Sequence, residues 1–369
     1  MSRSAIRLVS FNDYEGAIED ASRAIRYNSR AARAYATRGF AYYCLGKVDE
    51  AIQDYNRALE LKPKLVSARI YRSTLRFERL GDYEGAIADG EAAIVSEPQN
   101  IAAYHLLLIT YIDKKDYAAA LDVCERALKT LRKREYAYVF RAYVIQKQSG
   151  IEHALDDMDT AITLAPQDPM IYMWRGSIFG NAHDYEKALE AYSTVLRLQF
   201  KTNAALVFAA RGICYAYLGQ RDEAMQDFTH GIEVNPFEPL TYNNRASVLA
   251  KDGQYASAVE DANRCIQLKP AFKNGYDTRG QTYFLMGDYP AALADFEKAA
   301  DLKRGDAYSL AGQAATHYAM GDLDAAKALW RRTLEQESKY ADIQTFVDKF
   351  MPADGFMDAI RKVAAMADD

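Results

Sequence analysis

The chain is 369 residues long, 50% hydrophobic and 26% charged, with a formal net charge of -5. That composition supplies ample core, while its slightly acidic balance offers no basic footprint for a polyanionic backbone, which argues against a nucleic-acid partner. No window approaches the roughly 18 apolar residues that cross a membrane, no secretory signal is evident, and four scattered cysteines share no metal-ligand spacing, so a cytoplasmic, reducing setting with no cofactor, no metal and no membrane insertion is expected.

Ala17 opens a series that continues at Ala51, Ala86, Ala120, Ala154, Ala188, Ala224, Ala258, Ala292 and Ala326, at intervals of 34, 35, 34, 34, 34, 36, 34, 34 and 34 residues. Seven positions after each stands a second, mostly small residue: Ala24, Ala58, Ala93, Ala127, Ala161, Val195, Gly231, Cys265, Ala299 and Thr333. Seven residues are two helical turns, so both fall on one helix face that another helix can approach closely. The stretch ARAYATRGFAYYCLG from Ala32 is a second kind of helix, with aromatics at Tyr35 and Tyr42. Its pattern returns as Tyr104 and Tyr111, Tyr172 and Phe179, Phe208 and Tyr215, and Tyr276 and Tyr283. Glycine closes this helix at 46, 81, 219, 253, 287 and 321, and proline follows its partner at 63, 98, 166, 236 and 270, where it blocks continuation. In GDYEGAIADGEAAIVSEP, Gly81 ends one helix, Asp82 is the N-cap of the next, and Tyr83, Ala86, Ile87, Ala93 and Ile94 form its apolar stripe.

Two intervals break the period. The 35-residue interval is a slip expected near Leu65 and Val66, and the 36-residue interval puts two extra residues near LRLQFKTNAAL, a local joint. The expected organisation is therefore repeats 1 to 6 over 1–199, repeats 7 to 10 over 200–338, and capping helices over 339–369. In that last stretch Ile343, Val347 and Phe350 make one stripe and Phe356, Ile360 and Val363 another, around a break at Pro352 and Gly355. A cap over the exposed edge of the last repeat is the expectation. The alternative is a segment that folds into the groove and competes with a ligand.

With aromatic, small, aromatic, Ala, aromatic, Ala and Pro positions recurring over 34 residues, the sequence resembles the tetratricopeptide-repeat family across about residues 1 to 338. Nine repeats are full and the first lacks its opening residues. The resemblance implies an all-α, right-handed superhelical solenoid of about ten stacked antiparallel helix pairs, whose first helices line a concave groove that carries peptide ligands. Independently, a lone helix pair cannot bury its apolar stripe and must stack on neighbours.

Arginine stands at one place in six first helices, at 38, 141, 175, 211, 245 and 279, where hydrophobic residues are usual in the family. Aspartate recurs 16 residues later at 54, 157, 227, 261 and 295. Leu107 faces Val123 and Gln313 faces Leu329 where both charges are missing, while Arg175 with Ala191 and Ser73 with Asp89 are exceptions. Partly buried Arg to Asp pairs between the two helices of a repeat are expected, rather than an anion-binding ladder. No chemistry-bearing constellation is evident. The histidines fall at five different repeat positions, and Asp156, Asp157 and Asp159 point to several faces of one helix, so no enzyme activity is expected.

The groove positions are more informative. In repeats 4 to 6 they read Ala102, His105, Leu106 and Ile109, then Tyr136, Val139, Phe140 and Tyr143, then Met170, Met173, Trp174 and Ser177. So apolar a wall marks an interaction surface, with Met, Trp and Tyr as anchors; its alternative is burial by neighbouring turns or in a homodimer. Farther on, Asn244 matches the asparagine of clamp-type repeats that hold chaperone carboxylates, but Ala209, Ile213, Asn274 and Thr278 stand where the other clamp residues belong. Chaperone-tail binding is therefore discounted, leaving Asn243, Asn244, Asn274 and Asp277 as a secondary polar patch. The reading that follows is a non-enzymatic protein-protein interaction scaffold that binds a peptide segment or partner helix of an unidentified protein. The alternatives are a peptide-sensing regulator and the recognition arm of an enzyme assembled in trans.

Overall fold

A computed structural model describes residues 13–198, 204–303, 305–350 and 353–367, and every regular element among them is helical. Repeat 1 contributes α1 (Tyr14–Tyr27). Repeats 2 to 4 are α2 (Ala32–Cys44) with α3 (Val48–Leu61), α4 (Val66–Leu75) with α5 (Tyr83–Ser96), and α6 (Ile101–Asp113) with α7 (Tyr117–Thr130). Repeats 5 to 7 are α8 (Arg134–Ser149) with α9 (Leu155–Leu164), α10 (Pro169–Asn181) with α11 (Tyr185–Arg197), and α12 (Ala204–Tyr217) with α13 (Arg221–Val234). Repeats 8 to 10 are α14 (Pro239–Lys251) with α15 (Tyr255–Leu268), α16 (Lys273–Met286) with α17 (Tyr289–Leu302), and α18 (Ala307–Ala319) with α19 (Leu323–Gln336). A 3-10 turn (Ser338–Ala341), α20 (Ile343–Phe350) and α21 (Asp354–Ala367) follow.

Within a repeat a turn of a few residues joins two helices that pack together, which requires them to run antiparallel. The turn needs a left-handed residue. Gly46, Gly219, Gly253, Gly287 and Gly321 supply it with φ between 74° and 85°, and Lys115 and His183 are held at φ 61° and 60° where the glycine is missing. Aspartate caps the following helix: Asp82 Oδ1 accepts the Gly85 amide at 2.8 Å, and Asp13, Asp116, Asp184, Asp288 and Asp322 do the same for theirs. All ten series alanines are fully buried. Their partners seven residues on are buried too, except Ala24, which lies exposed. Small residues of the first helix receive aromatic rings of the second: a Cβ on Gly176 would sit 2.5 Å from the Tyr192 ring, and one on Gly212 would sit 2.7 Å from that of Phe228.

The extra residue of the 35-residue interval is not at Leu65 and Val66, both of which are buried in ordinary packing. It is absorbed by a π turn, Arg76–Leu80, that finishes the first helix of repeat 3. A π turn holds one residue more than an α turn over the same rise. The bulge lies after Arg72, so Arg72 rather than Ser73 occupies the arginine place of that repeat. Arg72 grips Asp89 at 2.8 and 2.5 Å, and Ser73 donates to the Ala86 carbonyl at 2.8 Å. The two residues added at the 36-residue interval fall around 199–203, outside the described residues.

Two compact units divide the chain, 1–236 and 237–369. In each unit first helices of successive repeats also meet one another directly, α4 with α6, α6 with α8 and α8 with α10 in the first, α14 with α16 and α16 with α18 in the second. That contact puts the first helices on the inner side of the curve. After α19, Tyr340 and Phe346 close over Trp330, with Phe346 6.2 Å from the indole and 5.3 Å from Tyr340. The stripe Phe356, Ile360 and Val363 is fully buried. Of the other expected stripe, Ile343 packs against the same core, whereas the side chains of Val347 and Phe350, and all of Pro352, lie outside the described residues.

Candidate functional site

The inner face of α6, α8 and α10 brings the expected groove residues of repeats 4 to 6 together, but not as an open wall. Leu106, Val139 and Phe140 are buried, so they support the surface from beneath instead of lining it. Trp174 packs over part of this face, its indole meeting three rings edge-on: His105 at 5.2 Å, Tyr143 at 5.4 Å and Phe140 at 6.2 Å. His105 in turn stacks on Phe140 at 5.8 Å. Aromatic pairs at these separations gain from edge-to-face contact beyond the area they bury. His105, Ile109, Tyr136, Tyr143, Met170, Met173 and Trp174 remain partly exposed, and Ala102 is exposed.

Hydrogen bonds fix the frame around this cluster. The Tyr136 hydroxyl donates to Asp168 Oδ2 at 2.8 Å, while Asp168 Oδ1 accepts the Met170 amide at 2.9 Å and caps α10. Gln146 of α8 donates to the Ile178 carbonyl of α10 at 3.1 Å. Lys133 sits 5.6 Å from the centre of the Tyr136 ring and Lys147 5.4 Å from that of Tyr143, giving the surface a positive rim. Burial lowers the pKa of His105 below the ordinary histidine value, so the imidazole packs here as a neutral ring.

The secondary polar patch is split by burial. Asn243 and Asp277 are buried and internally bonded, Asn244 is partly buried and Asn274 is exposed. Thr278 donates to Asn243 Oδ1 at 3.1 Å, and Ser309 donates to Asp277 Oδ1 at 2.8 Å. Lys273 pairs with Asp277 and bridges to Asp306 at 2.9 Å. Desolvation raises the Asp277 carboxyl to about 6. Two of the four residues are thus committed to joining α14, α16 and α18.

The arginines are not groove groups. Arg38, Arg141, Arg211, Arg245 and Arg279 each grip the aspartate 16 residues on with two bonds of 2.6 to 2.8 Å. In four of them, Arg38, Arg141, Arg211 and Arg279, a third nitrogen reaches back to the second helix of the preceding repeat, as from Arg38 to Ser22 at 3.1 Å and from Arg141 to Glu125 at 2.8 Å. Arg175, which faces Ala191, lies 5.6 Å from the centre of the Phe179 ring instead. Burial pushes the thiols of Cys124, Cys214 and Cys265 up to about 12, so none is a ready nucleophile. No cluster of metal-ligating side chains occurs among the described residues, and no helix among them is long and apolar enough to cross a membrane.

The tetratricopeptide-repeat pattern matches residues 32–65, 75–137, 207–238, 240–272 and 274–306, together more than half of the chain. The chain belongs to the tetratricopeptide-repeat family. Among curated relatives it is similar to human Tetratricopeptide repeat protein 6, 28% identical over 50% of this chain and 36% of that protein. It is also similar to the Peroxisomal targeting signal receptor of Saccharomyces cerevisiae, 24% identical over 53% of this chain and 33% of that protein. The chain thus spans about a third of the length of these relatives. Among solved structures, yeast Tom70 shares the fold with a TM-score of 0.54 at 13% identity, covering 96% of this chain and 92% of that one.

Proposed function

We propose that the chain is a non-enzymatic scaffold whose inner face, along α6, α8 and α10, binds an apolar segment of a partner protein. The supporting observation is the Trp174 cluster: four rings from three successive first helices, of which His105, Tyr143 and Trp174 stay partly exposed on the face that the curve turns inward. Here a tryptophan, a tyrosine and two methionines stay partly in water, and side chains of these types carry most binding energy at protein interfaces. The positive rim from Lys133 and Lys147 favours a segment with an acidic residue beside its apolar anchor.

A photoreactive amino acid at Met170 tests the reading against the same group at Gln267, on the second-helix side. Protein adducts are expected from position 170, and Trp174→Ala should reduce them at least tenfold while far-UV circular dichroism stays unchanged. Equal labelling from 170 and 267, or labelling that ignores Trp174→Ala, sinks the assignment.

A further inference from the structure

Repeat 3 departs from the other repeats at the two residues that flank its arginine. In repeats 2, 7 and 9 the arginine lies between two aromatic rings, one three residues before it and one four residues after. Arg38 is 5.6 and 5.9 Å from the ring centres of Tyr35 and Tyr42, Arg211 is 5.8 and 5.6 Å from those of Phe208 and Tyr215, and Arg279 is 5.7 and 6.0 Å from those of Tyr276 and Tyr283. Around Arg72 both of these places are arginine, Arg69 and Arg76. Three guanidinium groups therefore follow one stripe of α4 into the π turn, where those repeats carry one between two rings.

All three converge on one carboxylate. Asp89 of α5 is 2% exposed and accepts from Arg72 at 2.8 and 2.5 Å and from Arg76 at 2.9 Å, with Arg69 at 3.6 Å. Arg69 also donates to the Pro63 carbonyl through Nε and Nη2, at 3.1 and 2.8 Å, and Arg76 donates to the Gly85 carbonyl at 3.0 Å. Those carbonyls hold the side chains in place without neutralising them. A second acid, Asp82, stands 3.5 Å from Arg76, but it is 45% exposed and already accepts the Gly85 amide. Guanidinium groups do not release their protons, so three cations facing these two carboxylates leave positive charge over. Arg69 Nη1 and Arg76 Nη2 make no hydrogen bond among the described residues, and the three side chains keep 16 to 23% of their surface in water, within reach of a small anion.

We infer that Arg69, Arg72 and Arg76 form an anion site whose ligand is a phosphate monoester. Such a group carries about -1.5 to -2 charges near pH 7 and three acceptor oxygens, enough to offset the surplus and to accept from two arginines at once. Arginine is the side chain best shaped for it, because its planar fork gives paired bonds to phosphate oxygens. The site lies beside the second helices, with Arg72 bonded to Asn56 of α3 at 2.7 Å as well as to Asp89 of α5. It is separate from the Trp174 surface and does not depend on it.

The test titrates the full chain calorimetrically with inorganic phosphate, a phosphoserine tripeptide and myo-inositol hexakisphosphate, in ~0.15 M chloride to screen non-specific attraction. Saturable binding at one site per chain is expected, and its absence for all three probes overturns the inference. Tightest binding of the tripeptide identifies a modified side chain as the source of the phosphate, and tightest binding of the inositol compound identifies a soluble one. Arg69→Tyr/Arg76→Tyr restores the aromatic pair of repeat 2 and leaves Arg72 with Asp89, so this chain should fold and bind at least tenfold more weakly. Unchanged affinity in the folded double variant overturns the inference. Hydrogen exchange on the wild-type chain needs no variant: a saturating probe should slow the amides of residues 69–89 at least threefold and leave those of α16 unchanged. Protection that is spread evenly over the chain also overturns it.

Discussion

At the scale of single residues, the recurrent arginine is a staple. Its side chain ties the second helix of its own repeat through the aspartate and in several repeats touches the second helix of the repeat before, so one residue sets two helix spacings. Arg211 is only 18% exposed and Asp227 5%, so the pair is largely removed from water. Asp227→Ala is therefore expected to cost about 3 kcal/mol, since it strands a buried guanidinium. The double change Arg211→Leu with Asp227→Val should recover most of that loss. Repeat 4 already carries Leu107 and Val123 at these places, both fully packed. Urea denaturation of the three chains measures the cost; a double variant as unstable as the single one contradicts this account. Arg72 shows how far such pairing could be read in sequence. The recurrence of arginine was visible, but its partner in repeat 3 was offset by a residue whose place, in the π turn after Arg72, depended on how the helix accommodated it.

At the scale of helices, the inner surface of α6, α8 and α10 shows why a list of groove positions is not yet a binding surface. All of the expected residues lie on that face. Trp174 packs edge-on against Phe140 and His105 and against the cluster that holds Val139, and Phe140, Val139 and Leu106 are buried. A rotamer chosen by packing against two other helices leaves no mark in the spacing of a sequence. The neutral imidazole in this cluster carries a pH dependence. His105 has a folded-state pKa below its unfolded value, so its contribution to stability is fully present above about pH 6.5 and is lost as the pH falls below it. The loss should approach about 1.4 kcal/mol for each pH unit while the unfolded chain alone is protonated. Urea midpoints at pH 7.5 and pH 5.5 are expected to differ less for His105→Gln than for wild type; identical pH slopes would show that the ring is not desolvated.

At the scale of the whole molecule, each repeat touches mainly its neighbours, and two compact units divide at Pro236 and Phe237. Stability in such an array is close to a sum of repeat terms and nearest-neighbour terms, without one core that must break at once. Calorimetric unfolding should accordingly give a van't Hoff enthalpy clearly below the calorimetric one; equality of the two would mean a single cooperative body. The repeat number, the all-helical class, the turn glycines, the caps and most arginine pairs were legible in the sequence alone. They arise from local periodicity, from φ angles that favour glycine, and from partners a fixed 16 residues apart. The π turn in repeat 3, the packing of Trp174 over part of its own groove, and the contact of α21 with α18 and α16 were decided only by the tertiary structure. Each depends on which surface a side chain or helix finds to bury, and that surface is supplied by elements distant in the chain.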